Sequence, residues 1–233
     1  MTSPRVLIAA GGLVAVALAV RPRLMTWGAT EDDLARSLPG DGLVQGERET
    51  TTMATNIAAP AAAIWPWLAQ MGWDRGGWYS WDRLDRGGRP SAEDIDPAWQ
   101  RVQAGDRLYS APDEDSWFDV AHVEPNRSLV LRASMDLRGR PFDPSGKRPR
   151  WFIDSRWEFL LDPQPDGTTR LLVRSGGAGA PRALTNTMNY VFWQPAHVIM
   201  QVRQFHQLRR RAEGLAAKVA AGELRHEVGA EIG

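Results

Sequence analysis

The apolar patterning of this chain predicts an α+β fold in which a curved antiparallel sheet wraps around one long C-terminal helix. Two observations carry that prediction. Between Trp151 and Leu161, the residues Trp151, Ile153, Ser155, Trp157, Phe159 and Leu161 alternate with Asp154, Arg156 and Glu158, and between Thr168 and Ser175, Thr169, Leu171 and Val173 alternate with Arg170, Leu172 and Arg174. A period of two is the pattern of a strand with two unlike faces, here read as one buried and one wet. From Pro181 onward, Leu184, Met188, Val191, Pro195, Val198, Val202, Phe205, Leu208, Ala212, Leu215 and Val219 recur at steps of three and four. That stripe predicts an amphipathic helix packed on the sheet, with Pro195 bending or dividing it.

The remaining elements follow in chain order. Val6 to Val20 is an uncharged apolar run flanked by Arg5, Arg21 and Arg23. It is shorter than the roughly 20 apolar residues that usually span a bilayer. An uncleaved N-terminal membrane anchor is the expectation, against a cleaved signal peptide or a surface helix; the flanking arginines do not choose a side of the membrane. Thr30 before Glu31, Asp32 and Asp33 is a helix-capping signal, and Pro39-Gly40 stops that turn, so residues 27–46 read as a connector. Glu49 to Ile57 alternates as a strand, with Met53, Thr55 and Ile57 on one face. Pro60 opens a helix carrying Ile64, Trp67, Leu68 and Met71. Residues 72–99 form a loop that contains Trp73, Trp78, Tyr79 and Trp81. Residues 117–123 and 128–133 read as strands around a Glu124-Pro125-Asn126 turn, and Ser175 to Gly179 reads as a glycine-rich loop. The domain of interest is therefore 47–220, with a polar tail over 221–233.

Composition narrows the function. With 28 basic and 28 acidic residues, formal net charge +0, the chain has no overall field to attract nucleic acid. The absence of cysteine excludes disulfides, thiolate chemistry and Cys-ligated zinc. Four histidines are too scattered for a metal site by spacing, and no nucleophile elbow, zinc-protease, P-loop or dinucleotide motif is present; neither metal nor cofactor is expected. Arg203, Arg209, Arg210 and Arg211 fall mainly off the helical stripe and read as a solvated basic face.

Two blocks, Ile64-Trp65-Pro66-Trp67-Leu68-Ala69-Gln70-Met71-Gly72 and Arg75-Gly76-Gly77-Trp78-Tyr79-Ser80-Trp81-Asp82, resemble an uncharacterised bacterial branch of the SRPBCC superfamily, as do Trp157-Glu158-Phe159-Leu160 and Thr169 to Arg174. That superfamily includes START lipid-transfer domains and polyketide cyclases. The resemblance covers about Trp27 to Glu213 and implies a helix-grip fold with a deep apolar cavity. It implies no reaction, because one fold hosts many functions. The expected role is a membrane-tethered carrier or sensor of a hydrophobic small molecule such as a lipid or polyketide; an enzyme using the same cavity, or a structural partner of a membrane protein, are the alternatives. The expected ligand-binding residues are Trp67, Trp78, Tyr79, Trp81, Asp82, His122, Trp157, Phe159 and Leu171, with Asp82 bracing the aromatic loop.

Overall fold

The computed structural model describes residues 19–222. Their elements are α1 (Glu31–Ala35), β1 (Arg48–Ile57), α2 (Ala61–Ala69), α3 (Asp82–Asp85), a 3₁₀ turn (Pro97–Trp99), β2 (Arg107–Tyr109), β3 (Trp117–Glu124), β4 (Ser128–Asp136), β5 (Phe152–Pro163), β6 (Thr169–Ala180), α4 (Arg182–Met188), a π-helical turn (Asn189–Trp193) and α5 (Gln194–Ala220). The six strands form one sheet in the order β1-β6-β5-β4-β3-β2, with all neighbours antiparallel. The predicted α+β helix-grip architecture is what the chain adopts.

Period two sorts the sheet as the alternation predicts. Trp157, Phe159 and Leu161 of β5, Leu171 and Val173 of β6, and Met53 and Ile57 of β1 join α2 and the Val198, Phe205, Leu208 and Ala212 positions of α5 in one apolar core.

The other face of the sheet is not wet, and this corrects the simplest reading of the alternation. Residues 28–47 lie across it. Leu38 packs with Ala54, Leu160 and Leu172 in a second apolar cluster. Around that cluster Asp154, Arg156, Glu158 and Arg174 are all buried. Arg156 reaches three carboxylates: Glu158 at 2.5 Å, Glu47 at 2.7 Å and Asp41 at 2.7 Å. Arg174 takes Asp41 at 3.0 Å and donates to the Asp33 and Arg36 carbonyls. The Gly40 N–H donates to Glu158 at 2.9 Å. Burial pushes the Glu158 carboxyl above its ordinary range, while the Gly40 N–H and the Arg156 charge pull it back. Charges taken this far from water persist only when each finds partners; Asp154 finds Arg132 and Arg148, whereas Arg156, Glu158 and Arg174 draw partners from residues 33–47, most of which were read as a mere connector.

The cap at its start is the one the sequence signals. Thr30 accepts from the Asp33 N–H, and Asp33 accepts from the Thr30 N–H. Gly28 sits at φ +72°, and a Cβ there would collide with the Ala54 carbonyl, so the chain can cross β1 only as glycine.

Three further expectations are corrected. The glycine-rich run Ser175 to Gly179 is strand: β6 continues to Ala180, with Gly177 opposite Ser155 and Gly179 opposite Ile153. Glycine is needed there because a Cβ at Gly179 would stand 2.8 Å from Thr185, and one at Gly176 would meet Glu47. The helical stripe is continuous in sequence but not in space. Pro195 lacks an N–H and crowds the carbonyl four residues back, and the helix widens into a π turn just before it. Upstream of it Thr185 is buried beside Gly179 of β6, whereas Leu184 is 47% and Val191 74% exposed. The arginines of α5 are not all solvated: Arg211 is buried, donating to the Ala92 and Ser91 carbonyls and pairing with Glu93 at 2.7 Å.

The N-terminal membrane anchor is also corrected. Among the described residues no helix is long and apolar enough to cross a membrane. The described part of that region, helical over residues 19–25, is held to the domain: Arg21 donates to Gln194 at 2.9 Å, its guanidinium lies 4.0 Å from the centre of the Tyr190 ring, and Met25 is buried in the core. Residues 6–18 of the apolar run, and the polar tail from residue 223, lie outside the described residues.

Two outcomes are expected. Arg156→Ala leaves Glu158 buried without its cation, so the variant loses about 3–5 kcal/mol in urea unfolding, the usual cost of breaking a buried pair from one side; a loss of less than about 1 kcal/mol is the range of a surface change. Burial raises the Asp33 carboxyl, but hydrogen bonds from Arg170 and Thr30 outweigh it and bring the pKa from 3.8 down to about 2. Because the folded pKa is the lower one, Asp33 contributes stability above pH 3.8 and loses it as pH falls toward 2. Asp33→Asn is therefore less stable than the parent at pH 7, and the difference closes as both are titrated down to about pH 2 in parallel urea unfolding curves.

Candidate functional site

At the end of the grip where β5 and β6 meet α5, the inner face is made of rings. Trp157, projecting from mid-β5, stands 4.8 Å from Phe159, 5.7 Å from Trp78 and 5.9 Å from Phe118, centre to centre; Trp78 and Phe118 lie 5.4 Å apart, edge to face. These separations are those at which aromatic pairs attract beyond simple burial. The rings occupy the space between sheet and helix that the resemblance assigns to a cavity. Phe159 is fully buried, whereas Phe118 and Trp157 are half-buried. Phe118 and Trp157 are thus the rings through which this cluster meets solvent, an aromatic mouth backed by the buried Trp78 and Phe159.

The helix side of this mouth is polar, and its residues were missing from the sequence-based set. His197, Gln201 and Gln204 follow one another at i, i+4 and i+7, one face of a helix. The Trp157 Nε1–H donates to Gln201 Oε1 at 3.2 Å, Gln201 donates to Gln204 at 2.7 Å, and Gln204 donates to the Trp78 carbonyl at 2.9 Å. This chain ties the aromatic loop to the sheet through α5. His197 Nε2 lies 3.1 Å from the Ser175 hydroxyl, which is 2.6 Å from the Thr51 hydroxyl. Burial lowers the His197 pKa to about 4, so the imidazole is neutral at pH 7, one nitrogen donating and the other accepting. The signal for these groups was present as polar residues spaced within an apolar helix.

Of the nine expected residues, the structure brings Trp78, Trp157 and Phe159 together here. Leu171 lies below them, fully buried in the core. Trp67 and Tyr79 form a separate buried pair, 6.0 Å apart edge to face, under the Arg211 guanidinium. Tyr79 takes φ +56°, and its hydroxyl accepts from Gln70 at 2.9 Å; burial raises that hydroxyl's pKa to about 12, and the pair anchors the loop. Asp82 accepts from the Ser91 N–H at 3.1 Å and the Ser91 hydroxyl at 2.6 Å, which makes it a brace. Trp81 lies outside the mouth, 44% exposed. His122 is also elsewhere. It stands opposite Val130, which is opposite Glu158 on the connector-covered face. A register shift between Val120 and His122 turns Val123 inward in its place. Among the described residues no group of three or more His, Asp or Glu is placed to hold a metal ion.

No protein-family model and no curated protein matches the chain. Solved structures resemble the chain at low similarity. Protein MLL2253 from Mesorhizobium loti is 20% identical, with 71% of this chain and 98% of that one covered and a TM-score of 0.39. NE0264 from Nitrosomonas europaea is 15% identical over 72% and 96%, TM-score 0.43. CalU16 from Micromonospora echinospora is 17% identical over 79% and 94%, TM-score 0.34. Likeness at this level assigns no function to the chain.

Trp157 touches the largest number of rings at that mouth and also anchors Gln201. Trp157→Ala is expected to lower stability by about 3 kcal/mol, the lower end for large aromatic truncations because the ring is only half-buried; urea unfolding followed by circular dichroism measures it.

Proposed function

We propose that this protein binds a hydrophobic small molecule, of lipid or polyketide type, at the aromatic mouth between β5, β6 and α5, as a helix-grip binding protein of the SRPBCC kind. The observation that carries the reading is the pair of half-buried rings Phe118 and Trp157, backed by the buried Trp78, with Trp157 standing 6.4 Å from the neutral His197 that meets Ser175. Flat apolar rings stack on an apolar ligand and shield it from water, while a few fixed polar groups at the rim orient it. A neutral imidazole costs less to cover than a charged one, so a ligand can close over His197 without stranding an ion. The hydroxyl and imidazole together suit a ligand carbonyl or hydroxyl group. The tryptophan-rich blocks at 64–72 and 75–82 support the same family reading.

The test is a titration of the protein with Nile red, an uncharged dye. Saturable binding with a blue shift is expected, and Trp157→Ala or Phe118→Leu should weaken it about tenfold, the order of one lost aromatic contact. Trp81→Ala should leave it unchanged. If Nile red and a panel of fatty acids, sterols and aromatic polyketides all fail to bind saturably, the reading is wrong.

The Ser175–His197 contact favours one alternative, an acyl-transferring or hydrolytic enzyme with Ser175 as nucleophile and His197 as base. Labelling of Ser175 by a fluorophosphonate, abolished in His197→Ala, would replace the binding reading with that one.

A further inference from the structure

A second recess lies on the other flank of α5, between that helix and the aromatic loop. It has a volume of about 260 Å³ and is lined by Ser80, Asp82, Ser91, Glu93, Arg203, Gln207, Arg210 and Arg211 among others. Most of its polar groups already have partners. Ser80 donates to the Met200 carbonyl, Asp82 accepts from Ser91, and Glu93 holds Arg210 and Arg211, each at 2.7 Å. Arg203 is the exception. Its guanidinium lies 5.0 Å from the centre of the Trp81 ring, its Nε is shut off from water without an acceptor, and its terminal nitrogens have no protein acceptor among the described residues. Gln207, one helical turn further along the same face, accepts from Arg211 through its Oε1 at 2.6 Å, which leaves its amide N–H groups to the recess.

We infer that this recess is a binding site for a small organic carboxylate, held by the Arg203 guanidinium and the Gln207 amide. Three guanidiniums face two carboxylates there, so one positive charge is uncompensated and a single negative charge balances it. The planar fork of an arginine matches a carboxylate by two parallel hydrogen bonds. Trp81, stacked on the guanidinium, fixes its plane and screens it from water, and that raises the worth of the pairing. The volume is below the roughly 300 Å³ at which drug-sized pockets begin, which fits one small acid and excludes a long acyl chain. The site is separate from the aromatic mouth, since Trp157 and His197 do not line it.

Isothermal titration of the full chain with sodium benzoate tests this, with benzamide as the uncharged control and inorganic phosphate as the competing anion. Benzoate is expected to bind saturably with a Kd of about 1 mM or tighter, more weakly as salt is added. Arg203→Gln should weaken it at least about tenfold, and Arg203→Lys should restore only part, because the charge returns without the fork. Thermal unfolding of Arg203→Gln should match the parent, since Arg203 makes no hydrogen bond among the described residues, and Trp157→Ala should bind benzoate normally. Equal binding by parent and Arg203→Gln, equal binding of benzamide, or no saturable heat up to about 10 mM would overturn the proposal; tighter binding of phosphate would overturn its assignment to carboxylates.

Discussion

The structure depends on one arginine. Arg156 projects from the middle of β5 onto the face of the sheet away from α5, where it is buried and meets three carboxylates: Glu158 on its own strand and Asp41 and Glu47 on the N-terminal segment. A buried guanidinium needs both charge compensation and acceptors for its N–H groups, and the sheet alone supplies one carboxylate. The segment at 28–47 is thereby obliged to lie across β4, β5, β6 and β1. Once it does, Leu38 closes the outer apolar cluster and Asp33 receives Arg170 at 2.5 Å. A sheet that would have had one wet face becomes the middle layer of three.

This arrangement matters for the mouth on the opposite side. The strand that carries Arg156 outward carries Trp157 inward, so the ion network that fixes β5 in register also fixes the ring at the centre of the aromatic wall. Glu47, bound to Arg156, stands where a Cβ on Gly176 would be, one residue from Ser175. The N-terminal segment, through Glu47, therefore helps set the backbone of β6 at the point where Ser175 meets His197. Binding groups placed on a strand and a helix are held more firmly than groups on a loop; here the one loop contribution, Trp78, is secured by Gln204 and by the Tyr79 anchor behind it.

Arginine is used throughout as an internal clamp. Arg86 donates to the Trp73, Arg75 and Pro90 carbonyls, and Arg211 donates to those of Ser91 and Ala92. Loops without regular structure must satisfy their carbonyls somehow, and a rigid fork of five donors gathers several at once. Against that usage, Arg203 beside Trp81 stands out, since its guanidinium takes no acceptor among the described residues.

What the sequence by itself determined is the strand and helix periodicity. The alternation at Trp157, Phe159 and Leu161 against Asp154, Arg156 and Glu158 assigned each side chain to its face correctly, because the period of a strand is a local property of the backbone. The Thr30 cap was equally legible. Which face met water was not: Arg156 and Glu158 read as solvated, and only contact with Asp41 and Glu47, more than a hundred residues away in the chain, made them interior. The candidate site divides in the same way. Trp78, Trp157 and Phe159 were legible as large rings on an apolar face, and the fold brings them into one cluster. His197 and Gln201 were missed because polar residues within a helical stripe look like interruptions until the helix is docked and they are seen to face Ser175 and Trp157. His122 was misplaced because an irregularity of one residue in β3 reverses the face, and no local pattern records it. Periodicity belongs to the chain, whereas the partner of each face is decided by packing between segments distant in sequence.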